Sequence, residues 1–457
     1  MKTLVSRNPA TGAEIQSYPA HSEREVARRL EAAARAQAAW ARRPVAERAA
    51  LLKAVAAVLR PEARAHAVMM ALEMGKPVRQ GRAEVEKCAA SCEFYARQSE
   101  AWLAPEPVSS EAGRSYVCFE PLGVVLGIMP WNFPFWQVFR AAVPALAAGN
   151  ALVFKHASNV TGCALAIEAA FRRAGFPEGL VSTLLIESKA ARRLIGHPVI
   201  RGVTLTGSTE AGRSVAAAAG KALKKAVLEL GGSDAYLVLK DADTAQAAKI
   251  CGAARLVNSG QSCIAAKRFI AHTSVAAEFT AHLVREMAGQ RVGNPLEETT
   301  EIGPLARPDL RDELHNQVER SVAAGAKLVL GGEVPAAAGG AFYPATVLAG
   351  VRPGMAAFDE ETFGPVAAII EVETEEEAIR LANQSSFGLG AAVFTRDAAR
   401  GEEIAARRLE AGCCFVNEMV RSDPRFPFGG VKASGFGREL SHFGLREFVN
   451  VKTVWVK

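Results

Sequence analysis

The distribution of apolar and polar residues predicts a helical beginning to the chain. From Ser22 onward alanine is frequent, and apolar residues recur at helical spacing through residues 50–74 and again through 82–104. The tripeptide at 75–77, Gly-Lys-Pro, interrupts this pattern, because glycine and proline end helices. Residues 114–120 then alternate in polarity, which is typical of a strand with one exposed face.

Beyond residue 121 short apolar runs alternate with helical segments. Such alternation predicts parallel sheets whose strands are joined by crossover helices, which is an α/β fold. A second series of the same kind runs from about residue 235 to about 420, and the tail at 447–457 alternates like a strand. Strands are predicted at 124–129, 151–155, 181–185, 202–206, 225–229, 235–239, 267–271 and 366–371, with helices at 161–174, from 188 and at 209–219.

Length and cysteine content narrow the class of protein. A chain of 457 residues exceeds what one core usually serves, so we expect two or three domains. No apolar run approaches the roughly 20 residues of a membrane helix, and residues 1–7 do not form a signal peptide. The eight cysteines are irregularly spaced, which favours a reducing, cytoplasmic location, and Cys413-Cys414 fits a buried strand.

Charge and histidine content exclude further classes. The formal charge of +6 is modest and compatible with anionic substrates and cofactors. Basic residues are spread along helices such as 22–42 without aromatic residues on which bases could stack, so we expect no nucleic-acid partner. Cys-x-x-Cys spacing is absent and the eight histidines are scattered, so we expect no metal site.

A carboxylate and a thiol each lie on a glycine-bearing turn, at 229–232 (Glu-Leu-Gly-Gly) and 260–263 (Gly-Gln-Ser-Cys). A thiol becomes a competent nucleophile when a base or a positive field takes its proton. Cys263 is therefore a candidate nucleophile, and Glu229 a candidate base for the thiol or for a later water. The pair alone is weak, because most such cysteines are small core residues.

Residues 130–134 (Pro-Trp-Asn-Phe-Pro) follow the predicted strand at 124–129. Two prolines hold this segment on a rigid turn, because proline cannot continue a helix and restricts the residue before it. The amide of Asn132 could donate a hydrogen bond to a developing oxyanion, or it could cap the next helix. Elsewhere Glu361 and Phe363 are two residues apart, and 427–439 is rich in glycine.

Together these segments resemble the aldehyde dehydrogenase superfamily. Five motifs occur in the family order, from 8–12 (Asn-Pro-Ala-Thr-Gly) to 451–454 (Val-Lys-Thr-Val). Within the superfamily the chain is most similar to bacterial succinate-semialdehyde dehydrogenases of the short kind, about 460 residues long. The segments that carry this closer resemblance are 136–140, 155–160 and 435–444.

The resemblance implies two Rossmann-like parallel α/β domains, one for the cofactor and one for catalysis, with a small β segment for oligomerisation. The expected cofactor domain is 1–230, interrupted by oligomerisation strands at 112–127, and the expected catalytic domain is 231–424. Residues 425–457 would return to the cofactor domain and end in a strand that pairs with another subunit. We therefore expect a homodimer or homotetramer.

The implied reaction is the NAD(P)-dependent oxidation of an aldehyde to a carboxylic acid. Cys263 would form a thiohemiacetal and then a thioester, while the Asn132 amide and the Cys263 backbone N–H would hold the oxyanion. Glu229 would activate the water that releases the acid. Glu439 matches a family carboxylate that helps in proton relay, and a plain salt bridge is the alternative.

The expected dinucleotide site departs from the Gly-x-Gly-x-x-Gly fingerprint, because residues 207–212 read Gly-Ser-Thr-Glu-Ala-Gly. Ser158, small and neutral, occupies the place where many family members carry a glutamate that repels a 2′-phosphate. With Lys155 and His156 close by, NADP is favoured over NAD, unless Ser158 merely caps the helix beginning near Thr161. The cofactor residues implied by the resemblance are Trp131, Lys155, His156, Ser158, Gly207, Ser208, Leu230, Glu361 and Phe363.

For the substrate, Arg140 lies eight residues beyond Asn132 on the predicted helix, roughly 12 Å along its axis. It is a candidate for binding the far carboxylate of succinate semialdehyde, and a surface arginine is the alternative. Ser422 matches a family serine that binds the same carboxylate, and Arg425 is a further candidate. Val257 stands where some members carry a second arginine, so this grip is expected to be looser or differently built.

The sequence alone is compatible with other functions. The aldehyde could instead be glutarate semialdehyde or a simple aliphatic or aromatic aldehyde. A cysteine thioesterase or other hydrolase would leave the nucleotide positions unexplained, and no histidine lies near Cys263 in sequence. Transfer of the acyl group to coenzyme A is opposed by the presence of Glu229, and a purely structural role by the presence of every motif.

Overall fold

Two separate β-sheets organise the chain, one of six strands and one of seven. The computed structural model describes residues 2–335 and 339–457. In chain order the strands are β1 (Thr3–Arg7), β2 (Glu14–Pro19), β3 (Glu106–Pro107), β4 (Arg114–Pro121), β5 (Val124–Met129), β6 (Ala151–His156), β7 (Val181–Thr183), β8 (Ile200–Thr206), β9 (Lys225–Glu229), β10 (Ala235–Val238), β11 (Arg268–His272), β12 (Lys327–Leu330), β13 (Thr346–Ala349), β14 (Val366–Val372), β15 (Phe387–Gly388), β16 (Gly390–Phe394), β17 (Cys413–Val416), β18 (Val431–Lys432), β19 (Gly435–Phe436) and β20 (Val449–Val456).

Helices connect most of these strands and cover the faces of both sheets. The helical stretch predicted at 50–74 is two α-helices, because Pro61 lies in the 3₁₀ turn Arg60–Glu62 between them. In chain order the α-helices are α1 (Glu23–Trp40), α2 (Val45–Leu59), α3 (Ala63–Met74), α4 (Val78–Leu103), α5 (Pro134–Ala147), α6 (Thr161–Arg173), α7 (Ser188–Leu194), α8 (Thr209–Lys221), α9 (Thr244–Leu256), α10 (Thr273–Ala288), α11 (Pro308–Ala323), α12 (Ala356–Asp359), α13 (Glu375–Asn383), α14 (Ala398–Arg407) and α15 (Ser441–Arg446).

The first sheet has the strand order β19-β9-β8-β5-β6-β7. The pairs from β9 through β7 are parallel, whereas β19 runs antiparallel to its neighbour. Its central strands are mostly buried because helices cover both faces, and β6 is buried at every residue. The predicted strands 124–129 and 225–229 are confirmed with the same bounds.

The second sheet has the order β12-β13-β14-β11-β10-β16-β17, in which β12 is antiparallel and the other pairs are parallel. Its strands β10, β11, β14 and β16 are buried nearly throughout. The predicted α/β fold with two parallel series is confirmed. Cys413 and Cys414 lie half-buried on β17, as the sequence predicted for a strand.

A third sheet, of order β20-β4-β3, is antiparallel and more exposed. Strand β20 pairs with β4 over its full length and carries Val451, Trp455 and Val456 exposed to solvent. The domain boundaries expected from the resemblance stay a prediction, although the chain does enter this sheet once before β5 and again at its end. No helix within the described residues is both long and apolar enough to cross a membrane.

Candidate active site

Four neighbouring parallel strands of the first sheet end at one edge, and each is followed by a candidate site residue. Strand β5 leads to Asn132, β6 ends beside Lys155, β8 leads to Gly207, and β9 ends at Glu229. Because ligands of parallel α/β sheets bind at the carboxyl ends of the strands, this edge is where a site is expected.

The loop that carries the candidate nucleophile has an unusual backbone. Asn258, Ser259 and Gly260 have φ values of 53°, 56° and 76°, so three consecutive residues are left-handed. For residues other than glycine this conformation costs of the order of 1–3 kcal/mol each, and it persists only where the surroundings hold it. A Cβ on Gly260 would lie 2.3 Å from the carbonyl of Gly364, so only glycine fits there.

Hydrogen bonds from distant segments hold this loop. The Asn258 amide donates to the backbone oxygens of Asn132 at 2.7 Å and Gln261 at 3.1 Å. The guanidinium of Arg255 donates to the carbonyl oxygen of Gly260 at 2.6 Å, and the hydroxyl of Ser259 accepts from Gly303 N at 2.9 Å. The loop is therefore fixed to the neighbouring segments before any ligand arrives.

Cys263 lies half-buried at the end of the loop. The ammonium of Lys267 donates to three carbonyl oxygens around it, those of Ser262 (3.0 Å), Cys263 (2.8 Å) and Ala265 (3.1 Å). Burial raises the pKa of the Cys263 thiol to about 12, although the cations Arg140 and Lys267 pull it down. In this state the nucleophile is a protonated thiol, so it needs a base or a further positive charge to react.

The turn at 130–134 presents Asn132 to the nucleophile loop. Its side-chain nitrogen donates to the Gln261 carbonyl oxygen at 3.1 Å, and its side-chain oxygen has no partner in the described chain. An amide nitrogen carries two hydrogens, so one donor is left for a ligand oxygen. The alternative that Asn132 caps α5 is wrong, since the residue before α5 is Phe133 and no side chain caps that helix.

A buried ion pair supports the same turn from α4. Lys76 contacts the Glu84 carboxylate, and its ammonium lies 3.8 Å from the centre of the Phe133 ring. The other oxygen of Glu84 accepts from the backbone N–H groups of Phe135 and Trp136, each at 2.9 Å. A carboxylate at a helix N-terminus is favourable, so this contact fixes the start of α5 and with it the position of Asn132.

Glu229 and Glu439 lie on either side of Arg140. The Arg140 guanidinium contacts Glu439 directly, lies 3.8 Å from Glu229, and donates to the Thr206 hydroxyl at 3.3 Å. All three charged side chains are buried, so the alternative of a surface arginine is wrong. Of the two roles expected for Glu439, proton relay or a plain salt bridge, the structure shows the salt bridge, which is made with Arg140.

Burial raises the pKa of the Glu229 carboxyl well above its usual range, and the negative charge of Glu439 adds to the effect while Arg140 opposes it. Neither oxygen of Glu229 has a hydrogen-bond partner in the described chain. A raised pKa makes a carboxylate a stronger base, and free oxygens leave it able to accept a proton.

A cleft of about 170 Å³ adjoins Cys263 on the side of the first sheet. Here Trp131 and Phe363 meet edge to face, with ring centres 5.7 Å apart. The candidate cofactor residues that line this cleft are Trp131, Gly207, Ser208, Leu230, Glu361 and Phe363, together with Asn132 and Cys263. Residues from four separate motifs thus meet at the nucleophile.

Backbone contacts set two of these residues in place. Glu361 accepts from Gly232 N at 2.9 Å, and burial raises the pKa of its carboxyl. Leu230 packs so closely against α8 that a Cβ on Gly212 would lie 2.4 Å from it. Ser208 is exposed at the N-terminus of α8 and accepts from Ala211 N at 3.3 Å.

The residues after β6 separate into two groups. Lys155 donates to the Ser188 hydroxyl at 3.3 Å, and Ser158 is exposed. Ser158 caps no α-helix, since α6 begins at Thr161 after Val160, so that alternative is wrong. His156 is turned inward, with one ring nitrogen 2.9 Å from the Pro134 oxygen and the other accepting from Ala157 N.

The pKa of His156 is lowered to about 4 by burial, so the ring is neutral. It contributes no cation to a phosphate, and its contacts instead hold the start of α5 against β6. Of the three residues expected around the adenosine, Lys155 and Ser158 remain suited to contact a ligand.

The donors at this edge fit a pyridine dinucleotide. The amides of the first turn of α8 face the end of β8, where a pyrophosphate is stabilised by the helix dipole. Glu361 offers a carboxylate for ribose hydroxyls, Lys155 a cation, and Trp131 with Phe363 an aromatic wall. A Cβ placed on Gly207 would have no neighbouring atom closer than 3.8 Å, so the cleft stays open beside this residue.

A larger cavity of about 630 Å³ adjoins Cys263 on the other side. Helices α4 and α5 each give it one face, since the lining residues recur at intervals of three or four. From α4 these are Arg79, Gln80, Ala83, Glu84 and Lys87; from α5 and the turn before it they are Phe133, Trp136, Gln137 and Arg140. The segment 419–422 and Phe428 close the far side.

The structure brings two of the three candidate substrate residues into this cavity. Arg140 and Ser422 line it, and Ser422 is buried. Arg425 does not line it, because its exposed guanidinium pairs with Asp423 at 2.6 Å. Asp423, two residues away, pairs with the exposed Arg425 at little cost in free energy. This pairing was not predicted from the sequence.

Three cations of the site were not predicted, namely Lys87, Arg255 and Lys267. Lys87 and Arg255 lie on helices and Lys267 immediately precedes β11, and basic residues in such places are usually solvated. The one usable signal was the spacing of Glu84 and Lys87 on α4, which places them on one face of the helix.

The geometry described so far is that of an enzyme acting through a cysteine. The aldehyde dehydrogenase family model matches residues 1–454. The chain therefore belongs to the aldehyde dehydrogenase family, and the resemblance seen in its motifs is confirmed.

Individual relatives are similar over their whole length. A probable succinate-semialdehyde dehydrogenase (NADP(+)) of Synechocystis sp. is 50% identical over 453 residues, covering 99% of each chain. A succinate semialdehyde dehydrogenase (NAD(P)+) of Escherichia coli is 48% identical, covering 99% of this chain and 97% of its own. The solved succinic semialdehyde dehydrogenase of Streptococcus pyogenes with NADP+ superposes with a TM-score of 0.96 at 34% identity, covering 99% of each chain.

Proposed function

We propose that this protein oxidises succinate semialdehyde to succinate with NADP, and with NAD as a second choice. The observation that carries the proposal is the position of Cys263 between two cavities. One is lined by the residues suited to a dinucleotide, and the other by the cation Lys87 and the hydroxyl of Ser422, which suit an anionic substrate. The names of the similar proteins support the same substrate and cofactors.

In the first half-reaction the Cys263 sulfur adds to the aldehyde carbon, and its proton leaves to a base. We assign this role to Glu229, since its oxygens are free, its pKa is raised and its charge acts on the Cys263 thiol. The oxyanion that forms accepts from the Asn132 amide and from the Cys263 backbone N–H. Each such donor contributes about 2.7–4 kcal/mol in comparable enzymes.

When bound, NADP supplies the acceptor for the hydride that leaves the aldehyde carbon. The acyl group then remains on Cys263 as a thioester. Glu229 then releases the proton of the thiol to solvent. In the second half-reaction it takes a proton from water, the water oxygen attacks the thioester carbon, and the C–S bond breaks to give the carboxylic acid and a Cys263 thiolate, which regains a proton from Glu229. General-base help of this kind contributes about 10²–10⁴ in rate.

Glu439 and Arg140 act behind Glu229. The guanidinium faces both carboxylates, so a change in charge on one is felt by the other. We assign to Glu439 a positioning role, which it exerts through Arg140. We further propose that Glu439 takes part in proton relay.

Cofactor choice follows from Ser158. Its exposed hydroxyl carries no charge, and Lys155 offers a cation nearby in the chain. A 2′-phosphate therefore meets no like charge, while the ribose hydroxyls of NAD miss the carboxylate that would bind them.

A cysteine hydrolase is the competing class. It shares the nucleophile and the base, yet it gives no reason for Ser208, Glu361 and Phe363 to meet at Cys263. Coenzyme A as the acyl acceptor would leave Glu229 without a task in the second half-reaction.

The test is production of NADPH from succinate semialdehyde and from butanal, an uncharged aldehyde of equal length. We expect kcat/KM for succinate semialdehyde to exceed that for butanal by at least about ten-fold, because one charge-assisted contact is worth that much. Cys263→Ser should remove turnover, while Cys118→Ser, at a half-buried cysteine on β4, should retain it. Equal use of both aldehydes would contradict the proposed substrate, and turnover by Cys263→Ser the mechanism.

Ser158→Glu tests the cofactor proposal. A carboxylate at this position repels the 2′-phosphate and binds the ribose hydroxyls, so the NADP preference should change to an NAD preference. The ratio of kcat/KM for the two cofactors measures it, with Ser158→Ala as the neutral control. A wild-type protein that prefers NAD by ten-fold or more, roughly 1.4 kcal/mol, would contradict the assignment.

Assembly and location complete the proposal. An edge strand with exposed Val451, Trp455 and Val456 is unfavourable in water, so we infer that β20 pairs with another subunit in a homodimer or homotetramer. Light scattering after size-exclusion chromatography counts the subunits. All eight cysteines are free, which suits the reducing cytoplasm.

A further inference from the structure

Lys87, on α4, is a half-buried cation of the larger cavity that meets no carboxylate. Among residues 2–335 and 339–457, its ammonium has a single hydrogen-bond partner, the Ser422 hydroxyl at 2.7 Å, and no acidic oxygen within 4.0 Å. It also lies 4.4 Å from the centre of the Trp136 ring. An ammonium has three hydrogens, so two remain for a ligand.

Ser422 completes the arrangement. Its oxygen accepts twice, from Lys87 and from the indole N–H of Trp136 at 3.1 Å. A hydroxyl has two acceptor positions and one hydrogen, so with both acceptors used its hydrogen is left to donate. The three side chains together therefore present donors and no acceptor to the cavity.

Arg140 lines the same cavity in a different electrostatic state. Its charge is opposed by Glu439 in direct contact and by Glu229 at 3.8 Å. A guanidinium between two carboxylates offers little net charge to a third. By contrast, the neighbouring Glu84 is occupied by Lys76 and by the N-terminus of α5, so it does not neutralise Lys87.

We propose that Lys87 is the cation that binds the distal carboxylate of the substrate beside Ser422, the serine that the family resemblance already places there, and that Lys87 sets the preference for ω-oxo acids over uncharged aldehydes. This inference rests on the proposed function, whose substrate carries that carboxylate. Trp136 orients both groups, since its ring faces the ammonium and its N–H holds the Ser422 oxygen.

The direct test is Lys87→Met, which keeps the length of the side chain and removes its charge. We expect kcat/KM for succinate semialdehyde to fall about ten- to a hundred-fold, mainly through KM, while that for butanal changes less than about three-fold. Succinate should also become a weaker inhibitor of butanal oxidation by a similar factor. Lys249→Met is the matched control, because Lys249 is an exposed lysine at the rim of the cavity.

The outcomes separate this inference from the proposed function. If wild-type protein uses butanal as well as succinate semialdehyde, the proposed substrate fails before Lys87 is tested. If wild type prefers succinate semialdehyde and Lys87→Met keeps that preference, or loses both activities equally, Lys87 is a packing residue and the inference is overturned. A loss of equal size in Lys249→Met would show a general charge effect and overturn it too.

In a second measurement the charge of Lys87 is removed by raising the pH and not by mutation. Burial lowers the pKa of Lys87 to about 8, and the charge of Arg140 acts in the same direction. Glu84, Asp423 and Cys88 face it with the opposite effect. Since kcat/KM reports groups of the free enzyme, the ratio for succinate semialdehyde over butanal should fall as the pH rises through about 8 and the ammonium is lost.

Lys87→Arg is the control for this titration, because arginine keeps its charge at these pH values. In Lys87→Arg the ratio of kcat/KM for succinate semialdehyde over butanal should not change as the pH rises. A level ratio in wild type overturns the inference. A fall that persists in Lys87→Arg also overturns it, since a group other than Lys87 would then be the cause.

Discussion

Arg140 and Lys87 line one cavity, yet their surroundings differ. Arg140 is fully buried between Glu229 and Glu439, whereas Lys87 faces a hydroxyl and an indole ring. A buried cation with two acidic partners is part of the protein's own charge balance, and removing it leaves charges uncompensated. A cation with neutral partners has its charge available for a ligand. The comparison shows that a positive charge on a cavity-lining side chain is not sufficient to identify that side chain as a substrate ligand.

The largest effect is expected for Arg140→Met. Loss of the guanidinium leaves two buried carboxylates facing each other, so the protein should lose about 3–5 kcal/mol of stability, and activity on charged and uncharged aldehydes should fall together. Denaturant unfolding and the two kcat/KM values measure this. A loss confined to succinate semialdehyde would break the comparison, because Arg140 would then behave as a substrate ligand.

Glu439→Gln should have an intermediate effect that changes with pH. The charge of Glu439 raises the pKa of Glu229, so its removal lowers that pKa and lets Glu229 act as a base at lower pH. The acidic limb of the kcat profile should therefore move to lower pH, with the same displacement for both aldehydes. An unmoved limb would show that Glu439 and Glu229 are not linked through Arg140.

Ser422→Ala should have the smallest effect. One neutral hydroxyl donor is worth about 0.5–1.5 kcal/mol, or roughly two- to ten-fold, and the loss should appear for succinate semialdehyde alone. Because Lys87 loses its only hydrogen-bond partner within the described residues, Ser422→Ala and Lys87→Met should be non-additive when combined. Additive losses would mean that the two residues bind the substrate independently.

The sequence predicted the fold well where strands are buried on both faces. Strands β5 and β9 have the predicted bounds because apolar runs between turn residues carry a local signal. Within the long helical region the break at Pro61 was not predicted, since one proline between helices differs little from one at a first helical turn.

In the candidate site, too, residues with a local sequence signal could be predicted and the others could not. Cys263, Glu229 and Asn132 could be proposed from the sequence because each lies on a glycine- or proline-bearing turn with a family motif. Arg140 was placed on the right helix, but its two acidic partners lie far along the chain and carry no local signal. Lys87 had none beyond its spacing from Glu84. Charge balance is a property of the folded neighbourhood, and only the three-dimensional structure reveals it.

The high pKa of Cys263 has a consequence for the lifetime of the protein. Oxidants and alkylating agents attack the thiolate, and the raised pKa of Cys263 keeps only a small share of the molecules in that form at neutral pH. The resting protein thus stores its nucleophile in an inert form, protected from the sulfenic and sulfonic acids that inactivate exposed low-pKa cysteines. Chemical durability between turnovers follows from the same burial that makes the thiol depend on its neighbours for reactivity.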